Sequence, residues 1–205
     1  MEIDGWQGEL PKNAVSFWII RTANKKTGSF YSSSPLLNRI SEMVEHSMES
    51  NMFFAFTDCP QIEKLGWIET SHLMFRSLAD CYDINAWMRK IIHDIMDAQI
   101  DEEQAQIPGN EPVGYVPAII PEFQRIVGLH RDPNWNGACV FTPWEYYCFY
   151  GDEGILRQAY PVMQKYLSYL MAQLNHGVPE EYAQMGQQNR YLWKRQPGKL
   201  WLCFV

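Results

Sequence analysis

Six apolar residues, Ile84, Trp87, Met88, Ile91, Ile92 and Ile95, recur at i, i+3, i+4, i+7, i+8 and i+11, and no other stretch limits the fold as strongly. The rhythm places one apolar face along a helix of about residues 83–99, and such a face requires further helices to cover it. The same period returns on either side. Ser34 reads as an N-cap with Pro35 at the first helical position, and Leu36, Leu37, Ile40, Val44 and Met48 follow at helical spacing to about Asn51. Residues 70–81 can form a further helix. So can residues 138–150, with Phe141, Trp144, Tyr147 and Cys148, stopping at Gly151-Asp152. A last helix runs from near Glu153 to about Leu174 on Met163, Tyr166, Leu167 and Leu170, interrupted or restarted at Pro161.

Around this helical body the pattern changes. Residues 1–33 alternate short apolar runs, such as Ala14 to Ile20, with turn-prone Pro11-Lys12-Asn13 and Asn24 to Gly28, which reads as strands and loops at the end of a preceding β-domain or linker. Residues 34–175 form the helical unit. Residues 176–205 lose the helical period in a Gln-rich, irregular tail. Between the helices, residues 105–136 carry Pro108, Pro112, Pro117, Pro121 and Pro133, and a loop that long inside a helical domain is usually functional. Helical hairpins with long loops at one end suit an (α/α) toroid, although periodicity equally permits an irregular bundle or an α-solenoid.

Composition narrows the partners. A formal net charge of −7, with no basic cluster beyond Lys25-Lys26, offers no footprint for nucleic acid and fits a neutral substrate. Five cysteines without a C-x-x-C pair argue against a disulfide framework. None of the five histidines lies three or four residues from a second His or Cys, so neither a metal nor a cofactor is expected. Met1-Glu-Ile-Asp is no secretory n-region, and the longest apolar runs are too short to span a bilayer, which leaves the compartment open.

The chemistry is concentrated in residues 56–69, where Asp58, Glu63, Glu69 and Trp67 fall within fourteen positions broken by Pro60 and Gly66. The three carboxylates can converge only if the backbone bends between them. Trp67 offers a flat apolar face of the kind on which a pyranose ring stacks. With eight Trp and eleven Tyr the chain is rich in such faces, although any one of them serves a helical core equally well. The plain structural alternative is that Asp58 caps a helix and Glu63 pairs with Lys64 or faces solvent.

This segment, Asp58-Cys-Pro-Gln-Ile-Glu-Lys-Leu-Gly-Trp, resembles the Asp-Cys-Pro-x-Arg-Glu-Lys-x-Gly motif of the bacterial α-L-rhamnosidases. Thr27 to Ile40, Val116-Pro-Ala-Ile-Ile-Pro-Glu, Asp132-Pro-Asn-Trp-Asn-Gly-Ala, Pro143-Trp, Tyr150-Gly-Asp and Tyr160 to Leu170 resemble the same family in the same order, so the likeness covers about Thr27 to Leu174, and the tail of 176–205 does not resemble the family. It implies a mainly α fold, part of an (α/α)6 toroid of the six-hairpin glycosidase type, preceded by a short β segment. It also implies hydrolysis of terminal α-L-rhamnose from plant-type glycans.

By the resemblance Glu63 stands at the general-acid position and Asp58 where rhamnose hydroxyls are held. Glu69 is expected to contact substrate, Trp67 and Trp135 to wall the site, and Asp132 to line the pocket. The acid must keep its proton near neutral pH, and Ile62, Leu65 and Trp67 are expected to supply the desolvation. Inversion requires a second carboxylate about 6.5 to 9.5 Å from the acid, acting on water. In the family that base comes from a later hairpin, and neither Glu69, Glu111 nor Glu122 sits at its position. The chain is therefore expected to be a fragment that needs the missing half of the toroid or an oligomeric partner. Two departures bear on the site: Ile62 stands where the family usually has Arg, and Glu69-Thr70 where it often has Gly-Asp. They keep open a catalytically inactive carbohydrate-binding remnant and, from a different class, a helical interaction scaffold.

Overall fold

The computed structural model describes residues 4–122 and 131–175. The irregular tail of 176–205 lies outside the described residues. Among the described residues seven α-helices follow in order: α1 Pro35–Asn51, α2 Glu69–Leu73, α3 Phe75–Cys81, α4 Asn85–Asp97, α5 Pro133–Asn136, α6 Ala138–Tyr150 and α7 Glu153–Asn175.

The apolar stripe of α4 and its N-cap is the floor of the core: Ile84, Trp87, Met88, Ile91, Ile92 and Ile95 are all buried. Burial of side chains of this size contributes about 1.5 to 3 kcal/mol each by transfer from water. Against that floor lies α6, which packs on α2, α3, α4, α5 and α7. Contact on so many sides explains why α6 shows no single apolar stripe and why it is apolar almost throughout. Gly151, in the left-handed region at φ 70°, ends α6, its N–H bonding to the Tyr147 carbonyl. Asp152 then caps α7, its Oδ1 accepting from Gly154 N at 2.8 Å and Ile155 N at 3.3 Å, while Oδ2 pairs with Arg89 of α4. One side chain thus starts a helix and fastens it to the floor.

Three sequence expectations are corrected. Residues 70–81 make two short helices that meet at Met74. Pro161 sits inside α7 without interrupting it. Residues 4–33 contain no strand and run as turns and irregular chain, held to the helical body by an isolated bridge between Lys26 and Tyr82, by Thr22 N on the Met52 carbonyl and by ion pairs from Arg21 to Glu49 and Lys26 to Glu45. The apolar run Phe17 to Ile20 is exposed, and a strand needs a partner for its backbone groups before its pattern means burial.

α1 forms where its spacing requires. Its cap differs from the expected one, because the Ser34 side chain makes no capping bond, and Asn38 instead grips Ser32 through Oδ1 and Nδ2. Of its apolar stripe only Met48 is buried. Leu36 is 69% exposed, and Leu37, Ile40 and Val44 are exposed beside it. Among the described residues nothing covers this face. No helix among them is long and apolar enough to cross a membrane.

Candidate active site

The loop after α1 turns back on itself. Asp58 N bonds to Leu65 O at 3.3 Å and Lys64 N to Cys59 O at 3.2 Å, and Lys64 adopts φ 57° to make the reversal. The chain leaves through Gly66 into the long loop's territory. Ile120 N bonds to Gly66 O and Ile68 N to Ala118 O, both at 3.0 Å, which pins the loop to residues 118–120.

This turn brings the predicted carboxylates together. A carboxylate oxygen of Asp58, Cys59 Sγ and a carboxylate oxygen of Glu63 lie within 4.8 Å of one another. Asp58 is exposed and Glu63 half-buried. Three His, Cys, Asp or Glu ligands so close have the layout to hold an ion. The thiol, however, donates its proton to Glu63 Oε2, and a protonated sulfur is a poor ligand.

The environment of Glu63 differs from expectation. Ile62 faces solvent at 75% exposure and shields nothing. The Cys59 thiol donates to the Glu63 carboxylate, and hydrogen bonding, from this thiol first, holds the Glu63 pKa below the ordinary value, outweighing desolvation. In this structure Glu63 favours its ionised form. No sequence pattern announces this, because neither the donor nor the orientation of Ile62 is fixed until the turn closes. Cys59, four positions before Glu63, is the hydrogen-bonding neighbour that sequence reasoning missed.

Behind the turn, Trp67 is only 8% exposed and packs with Leu65, Ala118 and Ile119. Trp135 meets it edge to face, 5.8 Å between ring centroids. The indole therefore supports the loop with its ring largely covered, while half-buried Trp135 is the more open of the two. Glu69, first residue of α2, is half-buried. Its pKa is raised by desolvation first, and then by the charges of Asp132 and Asp58. Asp132 is buried as the N-cap of α5, where its Oδ1 accepts from Asn134 N at 2.8 Å. Burial raises its pKa as well, against the opposing hydrogen bonds from Asn134.

All six predicted residues thus lie in one region where the 58–65 turn, the start of α2 and the start of α5 meet. Glu111, weighed as a nearby acid, has a structural role instead, being 2% exposed and bound by Arg131 through Nε and Nη2 at 3.1 and 3.3 Å. Cys59, Cys81, Cys139 and Cys148 are free thiols.

Helical hairpins carrying a cluster of carboxylates and tryptophans on their connecting loops have the layout of a helical-toroid glycosidase. Residues 25–193 match the bacterial α-L-rhamnosidase six-hairpin glycosidase domain, and the chain belongs to that family. The match extends beyond Leu174, the end of the resemblance read from the motifs. An α-L-rhamnosidase of Formosa agariphila is 26% identical over 163 residues, which is 80% of this chain and 17% of the relative. Among solved structures, the α-L-rhamnosidase from Dictyoglumus thermophilum superposes with a TM-score of 0.63 at 29% identity, over 75% of this chain and 16% of that one. The Streptomyces avermitilis enzyme complexed with L-rhamnose gives 0.62 at 25% identity, over 74% and 14%. The chain spans less than a fifth of the length of these relatives.

Proposed function

We propose that this chain carries the acid-bearing part of an α-L-rhamnosidase active site, with Glu63 as general acid and Asp58 accepting hydrogen bonds from sugar hydroxyls. The observation that carries the proposal is the 58–65 turn, which sets the two carboxylates at one accessible point in front of half-buried Glu69 and Trp135. A glycosidic oxygen leaves poorly unless it is protonated as its bond breaks, so the acid has to reach that oxygen while a neighbouring carboxylate fixes the ring. The substrate class is a terminal α-L-rhamnoside, supported by the family and by the L-rhamnose bound in the Streptomyces relative. Glu69, Asp132 and Trp135 would line the sugar pocket, with Trp67 as their support. The base that activates water is not among the residues assigned.

A second reading, binding without hydrolysis, is favoured by one observation: the Cys59 thiol steers Glu63 toward its ionised form, and a carboxylate without a proton cannot act as the acid. Release of p-nitrophenol from p-nitrophenyl α-L-rhamnopyranoside, measured with L-rhamnose titration calorimetry, separates the two. Turnover that Glu63→Gln abolishes supports the acid. Rhamnose binding without turnover, lost in Asp58→Asn, supports the binding reading. Neither binding nor turnover overturns both for this chain.

A further inference from the structure

The Cys59 thiol and the Glu63 carboxylate are a bonded pair that the family assignment leaves unexplained. We infer that Cys59 is a positioning residue for Glu63, its S–H donated to Oε2 across the closed 59–64 turn so that the carboxylate is oriented and its resting protonation set. The inference rests on the reading of Glu63 as the acid.

The pairing is built into the local sequence. Pro60 fixes φ immediately after Cys59, Lys64 reverses the chain with its N–H on the Cys59 carbonyl, and the two side chains four residues apart are left face to face. A thiol is a weak donor to a neutral acceptor and a much better one to a charged acceptor, so the contact is strong only while Glu63 is ionised. The effect is reciprocal. The Cys59 pKa is raised, first by its hydrogen bond to Glu63 and further by desolvation and the charges of Glu63 and Asp58. Sulfur therefore keeps its proton, which makes Cys59 a slow nucleophile although it is only half-buried.

The other ionisable groups do not displace this pair. Asp58 and Lys64 share the turn, and the Asp58 carboxylate, within 4.8 Å of both the thiol and Glu63, opposes negative charge on either without taking the place of the thiol bond. Glu69 and Asp132, on α2 and at the start of α5, couple to each other, and Glu69 also to Asp58. When Glu63 takes up a proton, the thiol contact loses its charge assistance, and the protonated carboxyl is free to turn toward a glycosidic oxygen. The thiol thus holds the carboxylate in place between proton uptakes and sets how readily uptake occurs.

The test uses the 205-residue chain. Iodoacetamide alkylation of Cys59 at pH 8, followed by peptide mapping with exposed Cys148 as internal reference, is expected to run roughly fivefold faster or more in Glu63→Gln, because the thiol loses the charge that holds its proton. Equal rates would overturn the pairing. Carbon-13 titration of the Glu63 carboxyl is expected to move to higher pH in Cys59→Ala and to return most of the way in Cys59→Ser, which keeps a donor. No movement in Ala, or the same movement in Ala and Ser, would overturn it. Neither readout needs turnover. Glu63-dependent hydrolysis without the coupling would therefore sink this inference alone, whereas coupling together with hydrolysis that survives Glu63→Gln would sink the role of Glu63 as acid.

Discussion

Gly66 passes so close to Ile120 that a Cβ on the glycine would lie 2.6 Å from the Ile120 carbonyl oxygen, with Ala55 and Phe54 side-chain atoms at 3.2 Å on other sides. The obstacle is backbone held by the Ile120 N to Gly66 O bond, so it cannot swing aside. Gly66→Ala is expected to cost about 1 to 3 kcal/mol in urea unfolding, the range for forcing an extra methyl into a filled space. A smaller loss would mean that residues 118–120 are not fixed against the site turn.

Lys64 adopts a left-handed backbone without being glycine, a conformation that costs a residue with a Cβ about 1 kcal/mol or more. Lys64→Gly should be neutral or up to about 1 kcal/mol more stable, whereas Lys64→Val should be less stable by at least that amount. Equal stabilities would show that the turn does not reverse at this residue. Both follow from chemical denaturation midpoints at constant slope.

Asp152 and Arg89 form one ion pair, but their substitutions should differ. Asp152→Ala removes both the pair and the cap on Gly154 and Ile155, and should cost about 1 to 2 kcal/mol. Arg89→Ala leaves the cap intact and breaks a part-exposed pair, so thermal unfolding should report less than about 1 kcal/mol.

Asp132 gives a pH dependence with a definite sign. Its folded pKa is raised by burial, so the folded state binds the proton more tightly than the unfolded state does. Its contribution is fully present below the ordinary carboxylate pKa and is lost as pH rises through the raised value. Asp132→Asn keeps a capping oxygen for Asn134 and removes the charge. It should gain stability relative to the parent at pH 8 more than at pH 4. Asp132→Ala should lose about 1 kcal/mol at pH 4, where only the cap is at stake. Parallel stability curves for Asn and parent would contradict the raised value.

The helices were legible because their period is a local property. The α4 stripe, the extent of α6 and the stop at Gly151-Asp152 needed no partner to be read. Burial was less legible. The stripe of α1 has the same period as that of α4, yet Leu36, Ile40 and Val44 face outward, since spacing defines a face and not what lies opposite it. The run Phe17 to Ile20 misled for the same reason. At the site, Asp58, Glu63, Glu69, Trp67, Asp132 and Trp135 are nameable from sequence and lie together. The states of their side chains were not readable: Ile62 points away from Glu63, Trp67 is covered by Trp135 and Ala118, and the Cys59 contact exists only because Lys64 turns the chain.

Leaving-group dependence tests the assignment of Glu63 most directly. Values of kcat/KM for Glu63→Gln and the parent would be compared on p-nitrophenyl and 2,4-dinitrophenyl α-L-rhamnosides, the second of which departs without protonation. If Glu63 is the acid, the substitution costs about 10²- to 10⁴-fold on the first and far less on the second. Equal losses on both, or none on either, would contradict the account.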